Sequence, residues 1–211
     1  MKNNSFNYGC LVIAILLSSS LLAQVKQPTK QPINVVKSVN KQSQMNIIIQ
    51  PLGKQNRLFN KYTYEDVSKV IPNVTIANPI KMPSSAYVRD RGRYRADTII
   101  HWLNARAKHN EILVGITKDD VSTTKNNFKD WGVMGLGYCP GHACVVSDFR
   151  VKNKNNYYKV VLHELGHNMG LNHCSVKNCF MRDAEGHDTT DEENEFCPHC
   201  KSILLTKGWK L

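Results

Sequence analysis

The chain has 211 residues, 41% of them apolar and 21% charged, a balance that suits one globular domain with its own core. Its net charge is +11, yet the basic residues are spread along the chain, which argues against a nucleic-acid footprint and for a solvated basic surface. The acids are the clustered charges: seven of seventeen lie between Asp183 and Glu195.

Residues 11–23 (LVIAILLSSSLLA) form an apolar run too short to span a bilayer. Lys2 precedes it and Ala23 ends it, so it reads as a secretory signal over 1–23, cut near Ala23–Gln24. A buried helix or a membrane anchor is the alternative. Cys10 lies ahead of the run and leaves with the signal. Residues 24–44 are rich in Lys, Gln and Asn and hold no acid, the composition of a disordered linker. The folded unit is expected over 45–211.

The β-branched run 45–52 (MNIIIQPL) predicts a strand. Residues 63–70 carry a Thr cap with Asp66 three positions on, a helix start. Residues 74–80 make a short strand between prolines. The spacing of Ile99, Ile100, Leu103 and Ala107 predicts a helix over 97–109 capped by Asp97. EILVGIT (111–117) is a buried strand. Residues 132–138 and 143–149 flank a PGHA turn and read as a hairpin. Cys139 and Cys144 bracket that turn, so a cross-strand disulfide is the simple expectation. This order points to an α+β domain with a mixed sheet and helices packed on it.

The stretch 163–174, HELGHNMGLNHC, carries the chemistry. Residues 157–169 predict a helix whose apolar stripe is Tyr158, Val161, Leu162, Leu165 and Met169. His163 and His167 then point roughly 130–170° from the centre of that stripe. Histidines at i and i+4 lie one turn apart and can share a zinc ion. Gly170 ends the helix, and the turn brings His173 back as a third nitrogen ligand. Three protein ligands leave a position for water, which marks a catalytic rather than a structural zinc. Glu164 flanks that ion, can take the proton of the bound water, and can pass it to a leaving amine.

HExxHxxGxxH resembles the metzincin clan of zinc peptidases. The continuation, HELGHNMGLNHC-SVKN-C-F-M followed by FCPHC at 196–200, closely resembles the archaemetzincins. The resemblance implies a metzincin-like single domain: a mixed twisted sheet, an active-site helix and a C-terminal helical segment pinned by zinc. It implies His163, His167 and His173 on the catalytic zinc, with Glu164 as base. It also implies Cys174, Cys179, Cys197 and Cys200 on a structural zinc, and Met181 as the Met-turn methionine beneath the site. Two zinc ions per chain follow. Four thiolates make a closed tetrahedral set, and Cys174 cannot readily turn its sulfur to the ion that His173 binds. Two disulfides are the competing reading, because a secreted chain meets an oxidising compartment. Pro198 and the run 202–207 before Gly208 suggest that Cys200 opens a short closing helix. By the same resemblance, 132–138 is an edge strand that lies along the cleft and pairs with an extended substrate.

The expected protein is a secreted or periplasmic zinc metallopeptidase, monomeric, acting on peptide or protein. No nucleic acid partner is expected, and no membrane partner after signal cleavage. A non-catalytic zinc protein, binding peptide or nucleic acid, is the alternative.

Overall fold

A computed structural model describes residues 45–54 and 56–211. The expected signal at 1–23 and linker at 24–44 lie outside the described residues. Among those described, no helix is long and apolar enough to cross a membrane.

Strand β1 (Asn46–Pro51) buries Ile47 and Ile49 completely. Helix α1 (Arg57–Val70) starts well before Thr63, because Asn56 is its cap. The Asn56 Oδ1 accepts from the Leu58 and Phe59 N–H groups at 3.1 and 3.2 Å, worth about 1 kcal/mol. Thr63 is buried inside the helix instead, and its hydroxyl donates to the Phe59 carbonyl at 3.0 Å. Strand β2 (Val74–Ile76) stops short of residue 80, where Pro79 has no N–H to offer a ladder. Helix α2 (Ala96–Asn104) holds Asp97 in its first turn rather than as its cap, paired to Arg95 at 2.6 Å.

The main sheet has the order β2-β1-β5-β9-β8, with β5 (Glu111–Thr117), β8 (Gly135–Gly137) and β9 (Ala143–Ser147). All its pairings are parallel except β8 with β9. Both faces are covered. Ile112, Val114 and Ile116 of β5 join the core shared with α1 and the helix α3 (Tyr157–Asn168), whereas Leu113 joins Ile99, Ile100 and Leu103 of α2. A strand covered on both sides reads as one apolar run, as EILVGIT does.

A second sheet, β3-β4-β6-β7, adds to the expected architecture. Its strands are β3 (Tyr87–Val88), β4 (Arg93–Arg95), β6 (Val121–Lys125) and β7 (Phe128–Val133). The hairpin expected from 132–138 and 143–149 is therefore divided. Residues up to Val133 pair with β6, and only β8 pairs with β9. The change of sheet falls at Met134, whose carbonyl accepts the Ser147 N–H at 2.7 Å.

Helix α3 ends as expected at Gly170, in the left-handed region at φ 97°. Its burial is not a single stripe: Lys159, Val160, Glu164, Gly166 and Asn168 are buried as well. The sheet covers one side and the chain after residue 178 covers the other. The Lys159 ammonium donates to the Thr190 and Glu193 carbonyls, both at 2.7 Å. Helix α4 (Pro198–Thr206) opens with Pro198, ahead of Cys200. Behind it Trp209 meets Phe196 edge-on at 5.6 Å.

Candidate active site

The C-terminal half of α3 forms the floor of a cleft of about 620 Å³ between the two sheets and the segment 182–193. The His163 Nδ1 lies 2.6 Å from the Phe180 carbonyl, and the His167 Nδ1 lies 2.7 Å from the Leu171 carbonyl. A carbonyl only accepts, so both Nδ1 atoms carry the proton and both Nε2 atoms carry lone pairs. The two Nε2 atoms stand 3.0 Å apart. Lone pairs at that distance repel, and a shared cation relieves the repulsion. The turn after Gly170 brings the His173 ring to 5.3 and 4.8 Å from the other two rings. Its Nδ1 faces the Asp183 carboxylate at 3.3 Å. One ligand nitrogen from each ring can meet the others within 4.8 Å. This set fits a zinc ion, whose tetrahedral bonds of about 2.05 Å place neighbouring nitrogens about 3.3 Å apart. Burial, and then the neighbouring His167, drive the pKa of His163 down to about 3. Burial likewise lowers that of His167. Both rings are thus neutral, as metal ligation requires.

Glu164 is buried, and burial raises its pKa to about 8. Two glycines of the edge strand β8 make room for its carboxylate. A Cβ at position 135 would lie 2.5 Å from Oε1, and one at 137 would lie 3.2 Å from Oε2. Met181 is fully buried beneath the histidines, with its sulfur where a side chain of Gly166 would sit, 2.4 Å from that Cβ position.

Cys174, Cys179, Cys197 and Cys200 form the second cluster, with all four sulfurs within 4.8 Å of one another. The Cys174 and Cys197 sulfurs are 3.7 Å apart. A disulfide needs about 2.05 Å, whereas a tetrahedron of ~2.3 Å zinc–sulfur bonds has edges of about 3.8 Å. The Cys179 sulfur accepts N–H groups from Met181 at 3.4 Å and Cys197 at 3.3 Å. Burial pushes the Cys197 thiol up, but the Cys200 backbone N–H and the neighbouring thiols outweigh it and bring the pKa to about 7.

The cross-strand disulfide between Cys139 and Cys144 is absent; both are free thiols. Cys144 points from β9 into the core. Cys139 lies beyond the end of β8 and donates instead to the Leu171 carbonyl at 3.2 Å. The two side chains serve different surroundings, so flanking a turn did not make them partners.

Residues 61–206 match the family model described as Peptidase family M54. The chain belongs to Peptidase family M54. Archaemetzincins are among its relatives: that of Methanopyrus kandleri is 30% identical over 148 residues, covering 66% of this chain and 82% of the relative. The crystal structure of that archaemetzincin superposes with a TM-score of 0.67 at 27% identity, covering 80% of this chain and 98% of the other. The archaemetzincin of Archaeoglobus fulgidus, crystallised with malonate, gives 0.64 at 27% identity, covering 75% and 99%. This M54 chain is thus an archaemetzincin-family zinc metallopeptidase with the family's α+β fold.

The site of this archaemetzincin relative also uses residues that the motif does not announce. Asp183 orients His173 from the acidic segment. Gly135 and Gly137 sit in a strand too short for periodicity to find. Asn168 donates its amide to the Tyr138 and Ala143 carbonyls, both at 2.9 Å, and so ties the rim of the cleft to α3. Gly135→Ala is expected to keep the fold, because the three nearest atoms its Cβ would meet, Oε1, Cγ and Cδ of Glu164, belong to one side chain and none to backbone. It should cut kcat/KM for peptide hydrolysis about tenfold or more by moving Glu164. An unchanged kcat/KM would show that the close packing on Glu164 does not matter.

Proposed function

We propose that this M54 member hydrolyses peptide bonds, with His163, His167 and His173 holding a catalytic zinc and Glu164 acting as general base. The observation that carries the reading is the convergence of three histidine nitrogens beside a buried carboxylate, in a cleft edged by β8. A bound zinc supplies Lewis acidity for the carbonyl and a water nucleophile at neutral pH. A zinc ion held beside it would favour the ionised carboxylate, and Glu164 would then take a proton from the attacking water and return it to the leaving amine. The Phe180 and Leu171 carbonyls and the Asp183 carboxylate hold the three rings by their Nδ1 atoms, so no reorientation is needed. The substrate lies extended along β8, whose free edge offers backbone groups for strand addition.

Cys174, Cys179, Cys197 and Cys200 hold a second, structural zinc in this reading. The run 11–23 supports export from the cytoplasm. The protein acts as a monomer, without a nucleic-acid partner and without a membrane partner once the run is removed.

Metal and thiol analysis of one preparation tests the reading. Native protein should carry about two zinc ions per chain. Metal-stripped protein handled without oxygen should weigh the same as its fully reduced form, since each bridge would remove about 2 Da. A chelator should abolish cleavage of a mixed peptide library, and zinc should restore it. One zinc with a deficit of about 4 Da would replace the structural zinc by two disulfides. A zinc-loaded protein that cuts no peptide would be a binding protein instead.

A further inference from the structure

Away from the histidines, the same cleft is lined by Arg150. Its guanidinium is fixed by Asp120, with Nε to Oδ1 and Nη2 to Oδ2 both at 2.8 Å. Asp120 is only 9% exposed, and it also pairs with Arg93 at 3.1 Å. Arg93 reaches Asp130 at 3.6 Å, and Arg91 reaches the same carboxylate at 3.3 Å. Three guanidiniums therefore share two carboxylates, leaving one positive charge unbalanced within the cluster. Arg91 points mostly to solvent, with 65% of its side chain exposed. Arg150 is the member of the three that lines the cleft, and its Nη1 has no hydrogen-bond partner among the described residues.

The strand beside it is shaped around this group. A Cβ on Gly132 would lie 2.2 Å from both Cζ and Nη2 of Arg150. The guanidinium thus lies flat on bare backbone, where any side chain would displace it. Three acids on the facing wall are already engaged, whereas the Glu185 carboxylate has no hydrogen-bond or ion-pair partner among the described residues. Asp183 takes the Glu185 N–H and His173. Asp188 takes the Lys152 and Thr190 N–H groups and the Thr190 hydroxyl. Glu193 takes the Thr189 hydroxyl. Of the other cations on the wall, Lys152 lies near Asp188, Lys125 near Asp183, and Arg182 pairs with Glu192 at 2.6 Å.

We infer that Arg150 is a specificity-determining residue that receives a carboxylate of the peptide, either an acidic side chain or the C-terminus. Gly132 of β7 is three residues from Gly135 of β8, which borders Glu164, so the two lie at most about 11 Å apart however the chain turns between the strands. The carboxylate therefore belongs to a residue within about three positions of the cleaved bond. A guanidinium held rigidly by a buried partner loses little entropy on binding, and a charge-assisted hydrogen bond to a carboxylate is among the strong ones.

The inference rests on the reading of this cleft as a peptide site, and the test separates the two. Zinc-loaded Glu164→Ala full-length protein is titrated with otherwise uncharged hexapeptides that carry one Glu at successive positions. Each peptide has a Gln counterpart, and each is made with a free and an amidated C-terminus. A Glu at one position, or the free terminus, should bind about tenfold or more tightly than its neutral counterpart. The arm that shows the gain names the source of the carboxylate. Arg150→Met should erase the gain and leave the neutral peptides unchanged, while Arg150→Lys should keep part of it. Arg93 remains on Asp120 in both variants, so the buried carboxylate is not left alone. Equal binding of Glu and Gln peptides, no binding at all, or a preference that survives Arg150→Met would overturn the inference. If Arg150→Met does not fold, the Glu–Gln comparison and Arg150→Lys still decide. The same panel incubated with unaltered protein reports cleavage. Absence of cleavage beside an Arg150-dependent preference would remove the hydrolase reading and leave this one standing.

Discussion

Glu164→Ala is expected to keep the fold and both zinc ions while losing peptide hydrolysis by about 100-fold or more, the loss that follows removal of a general base. Three of the features described make this a clean experiment. Glu164 is buried yet makes no side-chain hydrogen bond among the described residues. Its burial is costly, as the rise of its pKa to about 8 shows. Each histidine is oriented by a group other than Glu164. Removing the carboxylate therefore relieves an unfavourable burial without loosening a ligand, and the melting temperature should hold or rise. Loss of activity together with loss of zinc would show that Glu164 is a ligand or a support. Near-normal turnover would remove it from the reaction altogether.

Cys197→Ser should act on stability instead. Cys197 caps α4, and its N–H and sulfur both meet other members of the thiol cluster. Loss of one thiolate from a closed four-sulfur set should release about one zinc per chain and leave the other bound. A structural zinc contributes folding free energy directly, about 10–16 kcal/mol in isolated zinc-finger peptides. Only part of that is at stake here, because Leu204, Phe196 and Trp209 give the C-terminal segment its own apolar contacts. At 2–4 °C per kcal/mol for a chain of this size, a fall of about 10 °C or more is expected. Unchanged melting and unchanged zinc content would show that the cluster holds no structural ion.

The parts of the fold visible in the sequence are those where one local signal decides. EILVGIT gave β5 to the residue, because a strand covered on both faces has only one composition available. The helix with His163 and His167 was equally plain, since their spacing has meaning only on a helix. The second sheet was hidden because its strands are polar. Across these strands Arg93 and Ser122 meet Asp130, and Arg95 meets Thr124 and the Lys129 carbonyl, so neither alternation nor an apolar run marks them. The true start of α1 was hidden because Thr63 and Asp66 imitate a capping box inside a helix that Asn56 had already begun. Within the site, a motif names residues that are close in sequence. Asp183, Gly135 and Arg150 come from three separate segments, and only the folded chain brings them to one cleft.

His173 and Cys174 are consecutive residues, and each belongs to a different cluster. One peptide unit therefore has to satisfy both geometries, and the ion that fixes it on one side has fixed it for the other. With both zinc ions bound as proposed, the two binding equilibria are thermodynamically linked. Whatever factor the first ion adds to the affinity for the second, the second returns to the first. Where that factor exceeds one, the half-loaded form is scarcer under zinc limitation than two independent sites would make it.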